Sequence, residues 1–420
     1  MKFLSAFLTA FIFVFVSGAS AQTPSAPLII KDWCPWVVSL EFSPNGSELA
    51  RFCFLYAVAL IDTTNYRRAR TFLTETEHTP QLQGFAYSPD GTMIATTMGN
   101  SSGARVWNAA DPGKPIPDEE SYSIVYRLYA LDSPLRVLEV PEPCRGASNA
   151  NVSWTGFSPD GRLLMTRYAN HCLQFWNTSS WTLKKEITDQ ELDGALFSPD
   201  SKLVITMHEN GHVKVWNTSS WIVDGELIVT GSPFTVAAFA PDSKTVMIGD
   251  KNGRLHHWSL GTKAEIRTLP TFEDHGYRTL ADVAFSPDGQ TLVATSDSAA
   301  KPVIIWNTTD WIAQTETGYN SAAFSKDGKL LALGGCNHIE LIELASRKVI
   351  RDIELPEMTW DEVRRRNDPN EPKPKIPCIV SANQKILCSV SALAFSPDGK
   401  TLAAGCGYPA GTVRVIKMIQ

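Results

Sequence analysis

Several groups of residues have types and spacings that could carry chemistry. His208-Glu-Asn-Gly-His212 fits H-E-x-x-H, in which two histidines one helical turn apart hold zinc and the glutamate acts as base. Gly99-Asn-Ser-Ser-Gly103 fits G-x-S-x-G, the sequence of a serine nucleophile elbow. His256 and His257 are adjacent imidazoles, and Glu41, Asp282 and Glu340 are carboxylates set in apolar runs. Eight cysteines, Cys34, Cys53, Cys144, Cys172, Cys336, Cys378, Cys388 and Cys406, could pair or remain buried thiols. Each chemistry needs a particular element beneath it: a helix under the zinc pair, a strand entering a helix under the serine. The elements therefore decide.

Those elements repeat. A Phe-Ser-Pro-Asp-Gly block or a close variant starts at Phe42, Tyr87, Phe157, Phe197, Phe239, Phe285, Phe324 and Phe395. A second block follows each, ending in Ile61, Trp107, Trp176, Trp216, Trp258, Trp306, Ile342 and Ile416, at offsets of 18 to 21 residues. Pro-Asp-Gly between two short apolar or alternating runs is hairpin chemistry, with Pro fixing φ and Gly accepting positive φ. Each repeat reads as strand a, a Pro-Asp-Gly turn, strand b, a second turn and strand c. A fourth strand follows turns such as Asn177-Thr-Ser-Ser-Trp181.

On these elements the catalytic patterns lose their geometry. Asn210-Gly211 is a hairpin turn between strands b and c, so His208 and His212 do not share a helix face. Gly99–Gly103 falls in another b–c turn. His256 and His257 point to opposite faces of a strand and cannot chelate together. Asp and Asn in the Pro-Asp-Gly turns lack the dense acidic spacing of a calcium loop. No metal, cofactor or catalytic constellation is expected. The Trp residues closing strand c read as core between neighbouring blades, and Trp181, Trp221 and Trp311 as partly exposed packing.

Four short strands in a period of roughly 40 to 45 residues, closed by a Trp, resemble the WD40 repeat family. The segments carrying the resemblance are LQFWNTSSW at 173–181, VKVWNTSSW at 213–221 and VIIWNTTDW at 303–311. TolB-like propellers, which also repeat Ser-Pro-Asp-Gly, are a weaker resemblance. The family's Trp-Asp is Trp-Asn here and no Gly-His recurs before strand a, so the hydrogen-bond network some members build from that His and Asp is not expected. The resemblance implies an all-β chain forming a single β-propeller of eight four-stranded blades; seven, with one degenerate repeat displaced, is the alternative. The last repeat stops at strand c near Val413–Met418, and Pro27–Trp33 offers the spare strand that would close the ring. Two insertions, near 109–150 and 346–388, fall between strand c of one repeat and strand a of the next, and both are placed on one face. In the second, Thr359-Trp-Asp-Glu362 matches a capping box ahead of a short helix. The d–a and b–c connections of such blades share a face, and the cysteines placed on them suggest the pairs 34–53, 144–172, 388–406 and 336–378, each contributing on the order of 2 to 4 kcal/mol.

The N-terminus carries Lys2, an apolar stretch over residues 3–16 and Ala19-Ser20-Ala21. That order reads as a signal peptide over 1–21, with the mature propeller spanning 22–420. No later stretch reaches the roughly 20 residues of a membrane span. A net charge of −6 argues against nucleic acid as partner. Six N-x-S/T sequons begin at Asn45, Asn100, Asn151, Asn177, Asn217 and Asn307; they are glycosylation acceptors in a eukaryotic secretory route, or simply products of turn chemistry. The sequence thus points to an exported monomer, periplasmic or extracellular, that binds protein partners through one loop-bearing face and is not an enzyme. Trp360, Arg364, Arg365 and Arg366 are the candidate contact residues, since Trp and Arg dominate such sites. The alternative is a hydrolase or lyase at the central channel, where Glu41, Asp282 and Glu340 would serve.

Overall fold

Each repeat folds into the same antiparallel sheet because its runs are short, rich in β-branched and aromatic residues, and separated by turn residues. The computed structural model describes residues 27–30, 34, 37–53, 57–72, 82–98, 103–110, 135–138, 152–168, 171–229, 234–271, 280–296, 303–359, 385–386, 388–407 and 411–418. These residues form eight four-stranded sheets, the blades, and one two-stranded ribbon. Blades 1 to 7 span 37–72, 82–138, 152–188, 192–228, 234–270, 280–316 and 319–354, each in the order a-b-c-d. Blade 8 takes strands a, b and c from 390–417 and its fourth strand from Leu28–Ile30. That strand pairs with Val413–Lys417, Ile29 opposite Arg414, and so closes the ring. The ring has eight blades, and the seven-blade alternative falls.

The a strands line a central channel, and those of blades 2 and 3, 5 and 6, 7 and 8, and 8 and 1 pack directly on each other. Between blades lies the core. One apolar cluster fills each gap, and strand c supplies both sides: Val58 and Leu60 pack toward blade 2, and Ile61, beside Leu49 of strand b, packs toward blade 8. The Trp or Ile ending strand c always packs on the preceding blade, as Trp107 does on blade 1 and Trp306 on blade 5.

The Ser-Pro-Asp-Gly turns link blades as well as reversing the chain. Ser158 Oγ donates to Asp160 Oδ1 at 2.7 Å and accepts the Leu163 N–H at 2.9 Å, which locks the turn. The turn glycine takes a left-handed φ and lies under the proline of the preceding turn: Pro44 over Gly91, Pro89 over Gly161, Pro241 over Gly289, Pro287 over Gly328 and Pro397 over Gly46. Where Ser201 and Ser243 replace that glycine, their hydroxyls accept the backbone N–H of Asp160 and Asp200 at 3.0 and 3.1 Å. The 7–8 joint differs. Lys326 stands where the proline would be, and nothing lies within 4 Å of a side chain built on Gly399.

The c–d turns also reach across a gap. Asn177 Oδ1 accepts the N–H groups of Ser179 and Ser180, and the Trp181 N–H returns to the Asn177 carbonyl at 2.7 Å. This leaves Trp181, Trp221 and Trp311 at φ values of 55° to 60°. Their rings fold back on the preceding blade: Trp221 lies 4.7 Å from Phe175, and Trp311 lies 5.0 Å from His257 beneath the Arg267 guanidinium. Asn45, Asn177, Asn217 and Asn307, which begin sequons, all use their side-chain oxygen as a turn acceptor.

Two expectations about the insertions change. Strand d of blade 2 is Arg136–Leu138, so the first insertion is split by it. Its longer part, between residues 109 and 135, is a c–d connection rooted on the turn face; the second insertion lies between strands d and a and is rooted on the opposite, loop face. The two insertions do not emerge together. Thr359 belongs to the short ribbon Met358–Thr359 with Lys385–Ile386, and the helix expected after it lies outside the described residues.

The gap in the ring of prolines gives a direct test. Lys326→Pro restores cover over Gly399 and restricts the unfolded chain, so stability should rise by about 0.4 to 1 kcal/mol. A denaturation midpoint that falls instead would show that the turn needs the lysine.

Candidate functional site

The last residue of strand b faces the d–a connection of its own blade, and what stands there decides how the loop face is tied together. In blade 1 it is Cys53, bonded to Cys34 with 5.6 Å between their Cα atoms; in blade 8 it is Cys406, bonded to Cys388 at 5.1 Å. Cys172 and Cys336 are disulfide-bonded too, while Cys144 and Cys378 lie outside the described residues.

In blade 4 the same position holds His208, and a hydrogen-bond relay runs through it. Trp216 Nε1 donates to Thr206 Oγ1 at 3.0 Å, Thr206 meets His208 Nε2 at 3.0 Å, and His208 Nδ1 lies 3.2 Å from Asp189 Oδ2. Lys214 Nζ completes it, 3.0 Å from the same oxygen. Burial pushes the Asp189 carboxyl up, but the Lys214 hydrogen bond and further contacts outweigh it and hold it below the usual range. Burial, and next the Lys214 charge, lower the His208 pKa. The expectation concerned the network that some family members build from a Gly-His and a Trp-Asp; the relay here is a different one, built from His208 and Asp189. The relay needs a strand-b hydroxyl, an imidazole and a carboxylate within reach of the Trp, and the imidazole here comes from strand b rather than from a Gly-His before strand a. Trp107 and Trp176 bond Thr96 and Thr166 alike, at 2.9 and 3.3 Å. Blade 5 carries Ile248 where blades 2 to 4 carry that Thr, and the Trp258 Nε1 has no partner among the described residues. Sequence reasoning missed the relay because its signal, Thr two residues before His on strand b, was absorbed into the H-E-x-x-H pattern.

That zinc pattern comes apart in three dimensions. Gly211 turns the chain at φ 88°, His208 is held by Thr206 and Asp189, and His212 bonds Glu226 at 2.9 Å. Residues 99–102 of the serine pattern lie outside the described residues. His256 and His257 do point to opposite faces: His256 sits between Glu265 at 2.9 Å and Asp250 at 3.4 Å, and His257 stacks on Trp311. Among the described residues no three His, Cys, Asp or Glu side chains are grouped to hold a metal. No helix among them is long and apolar enough to cross a membrane.

Of the three carboxylates suggested for the channel, Glu41 and Asp282 are on a strands, whereas Glu340 is on strand c of blade 7 and sits beside the Tyr319 hydroxyl. Glu340 was misplaced because only strand a lines the channel. Glu41 and Asp282 are open to channel water yet walled by eight strands, and that enclosure raises both carboxyls, Glu41 to about 7. Trp154, on strand a of blade 3, is a third channel side chain, 40% exposed; Gly156 leaves its ring room. Sequence alone did not separate it from core tryptophans.

The root of the second insertion is firmly held on the loop face. Asn337 N–H donates to the Cys388 carbonyl at 2.7 Å, and Leu355 N–H to the Asn337 carbonyl at 2.8 Å. Arg414, fully buried, donates to the Pro356 carbonyl at 3.1 Å. Trp360, Arg364, Arg365 and Arg366, beyond this root, lie outside the described residues.

His257 supplies a pH test. Burial, and then Arg267, depress its pKa from the ordinary 6.5 to about 4, and both ring nitrogens lack partners among the described residues. The fold keeps it neutral, so the unfolded chain takes up the proton first. Its share of stability is complete above about pH 6.5 and is lost as pH falls toward 4. In His257→Phe this share disappears, and the drop in denaturation midpoint between pH 7 and pH 4 should shrink. An unchanged drop would mean that His257 titrates normally.

Comparison with known families finds the WD domain, G-beta repeat (WD40) at residues 266–301 and 381–416. The first match runs from strand d of blade 5 through strand b of blade 6, and the second ends with strand c of blade 8. No curated protein matches the chain. Eight blades closed by the N-terminal strand, c strands ending in Trp or Ile, and these two matches support a WD40-repeat β-propeller.

Proposed function

We propose that the protein is an exported, non-catalytic scaffold that holds a protein partner on the loop face of its propeller, around the second insertion. WD40 propellers commonly serve as interaction scaffolds, which is the general ground for the reading. What carries it for this chain is the root of the second insertion. A long Pro-rich segment over 360–384 leaves a rigid platform made by the ribbon, the buried Arg414 and the Cys388–Cys406 bond. A preorganised base lowers the ordering cost that a binding segment would otherwise carry. Trp360 with Arg364, Arg365 and Arg366 remain the proposed contact residues, and the first insertion, rooted largely on the other face, is left out of the site.

The disulfides fit a compartment outside the cytoplasm. Export through residues 1–21, periplasmic or extracellular residence and a monomeric state complete the proposal. Protein recovered from its native compartment should begin at Gln22; a chain retaining Met1 would end the export reading.

For the partner, residues 361–383 are replaced by a short Gly-Ser linker, which preserves the Met358–Thr359 and Lys385–Ile386 ribbon. Captures from the exported fraction are then compared between this variant and the native chain. A species retained by the native chain should be lost, and charge reversal at Arg364, Arg365 and Arg366 should weaken its capture at least tenfold. Identical captures would sink the assignment of this face.

A further inference from the structure

The six described cysteines are all bonded, but a reagent cannot reach them equally. Cys34, Cys53, Cys172, Cys388 and Cys406 are buried, none more than 5% exposed. Cys336 is only half-buried and stands in the b–c turn of blade 7, between Leu330–Gly335 and His338–Glu343. Thiol–disulfide exchange requires a thiolate to touch one sulfur, so exposed disulfides are the labile ones and buried ones are inert.

The same turn holds both ends of the second insertion. The Asn337 carbonyl accepts the Leu355 N–H at the exit of blade 7, at 2.8 Å, and the Asn337 N–H donates to the Cys388 carbonyl at the entrance of blade 8, at 2.7 Å. Cys336 pairs with Ser389 in an isolated bridge, and Arg414 donates to the Pro356 carbonyl at 3.1 Å. None of these contacts uses a sulfur of Cys336. The root therefore persists when that bond opens.

Elimination names the other half of the bond. Cys34–Cys53 and Cys388–Cys406 are complete pairs, and Cys172 lies in blade 3, across the ring from Cys336 in blade 7. A disulfide spans only about 4.4 to 6.8 Å between Cα atoms, so those two do not meet. Of the remaining cysteines, Cys144 shortly precedes strand a of blade 3, whereas Cys378 falls within the second insertion itself.

We propose that Cys336–Cys378 is a redox-opened staple across the second insertion: a dithiol frees the segment between residues 359 and 385 while its root and the ring stay closed. Reduction then releases the partner, a consequence that rests on the reading of this insertion as the platform; the opening of the bond does not. A thiolate of the dithiol attacks the Cys336 sulfur and expels the Cys378 sulfur as a thiolate, which takes up a proton. The second thiol of the reagent closes on its own sulfur in the mixed disulfide, and Cys336 leaves as a thiolate that is protonated in turn. Two electrons pass to the protein, and the dithiol ends as a cyclic disulfide.

The full chain treated with graded dithiothreitol in native buffer, trapped with N-ethylmaleimide and mapped by mass spectrometry tests it. Cys336 and Cys378 should be labelled together, at least tenfold faster than Cys34, Cys53, Cys172, Cys388 and Cys406. At that stage trypsin should cut after Arg364, Arg365 or Arg366 at least tenfold faster than in the oxidised chain, with the blades still resistant. A chain carrying Cys336→Ser and Cys378→Ser should show the fast cleavage without reductant; the labelling of the native chain decides the matter if that variant fails to fold. Labelling of a buried cysteine as early as Cys336, a Cys336 bond to any residue other than Cys378, or cleavage indifferent to reduction overturns the staple. Captures separate the two readings. A species lost on replacing residues 361–383 but fully retained after selective reduction overturns the release, whereas identical captures from both chains sink the platform and leave the staple to its own labelling result.

Discussion

A four-stranded blade has two apolar faces and can cover neither by itself, so every blade depends on a neighbour at each side and the ring must close. The closing strand pairs only three residues, Leu28 to Ile30, with strand c of blade 8. At about 0.5 to 1.5 kcal/mol per hydrogen bond that pairing contributes a few kcal/mol. The cluster between blades 8 and 1, including Val37, Leu49, Ile61, Val413 and Val415, buries side chains worth about 1.5 to 3 kcal/mol each. Burial therefore drives closure, and the strand sets register and removes an exposed edge. The turn prolines, the hydroxyls of Ser201 and Ser243 and the returning tryptophans fix the angle between blades that the apolar gaps alone leave loose.

One position per blade, the end of strand b, shows how a repeat is varied without changing its shape. Tying that point to the d–a connection keeps the loop face from splaying. Blades 1 and 8 do it with a disulfide, and blade 4 with the His208–Asp189 pair extended to Trp216 through Thr206. Blade 3 places Tyr168 there instead, bonded to Gln174 at 2.9 Å, which in turn bonds Glu186. A cross-link of about 2 to 4 kcal/mol and a charge-assisted hydrogen bond of about 1.5 to 3 kcal/mol are comparable solutions to one geometric demand.

The fold was legible because its signals are local and repeated: Pro-Asp-Gly, Asn-Thr-Ser-Ser-Trp and the spacing to Trp or Ile each recur on one kind of strand. Closure was legible as well, since a missing fourth strand leaves an edge that Leu28–Ile30 can fill. The relay was not. It joins Asp189 to His208 through space, and the pattern around His208 suggested other chemistry. Glu340 was assigned to the channel because a carboxylate within an apolar run looks the same on strand c as on strand a. The division of the first insertion turned on Arg136–Leu138, a three-residue strand too short and too polar to stand out. The role of Lys326 was also hidden, because a turn tolerates lysine locally and its consequence falls on Gly399 in the next blade.

Departures from the repeat are confined largely to one sector. Blades 7, 8 and 1 end strand c in Ile342, Ile416 and Ile61, and where blades 2 to 4 place the bonding Thr they carry Leu333, Ala404 and Arg51. The indole-to-threonine tie cannot form there. The same sector contains the Cys34–Cys53 and Cys388–Cys406 bonds, bonded Cys336, the clamped insertion root, and a cavity beside Glu41. A second cavity of about 400 Å³ lies behind Phe42 and Pro397, where Lys417 donates to the Tyr66 hydroxyl at 2.6 Å. Dense packing resists an opening, because each void forfeits contacts along its whole lining. Covalent ties on the loop face lift that restriction, since they hold blade to connection without filling space. The sector that holds these two cavities on the turn face is thus also the one tied by the Cys34–Cys53 and Cys388–Cys406 bonds on the loop face, and those bonds help to offset the contacts that the cavities forgo.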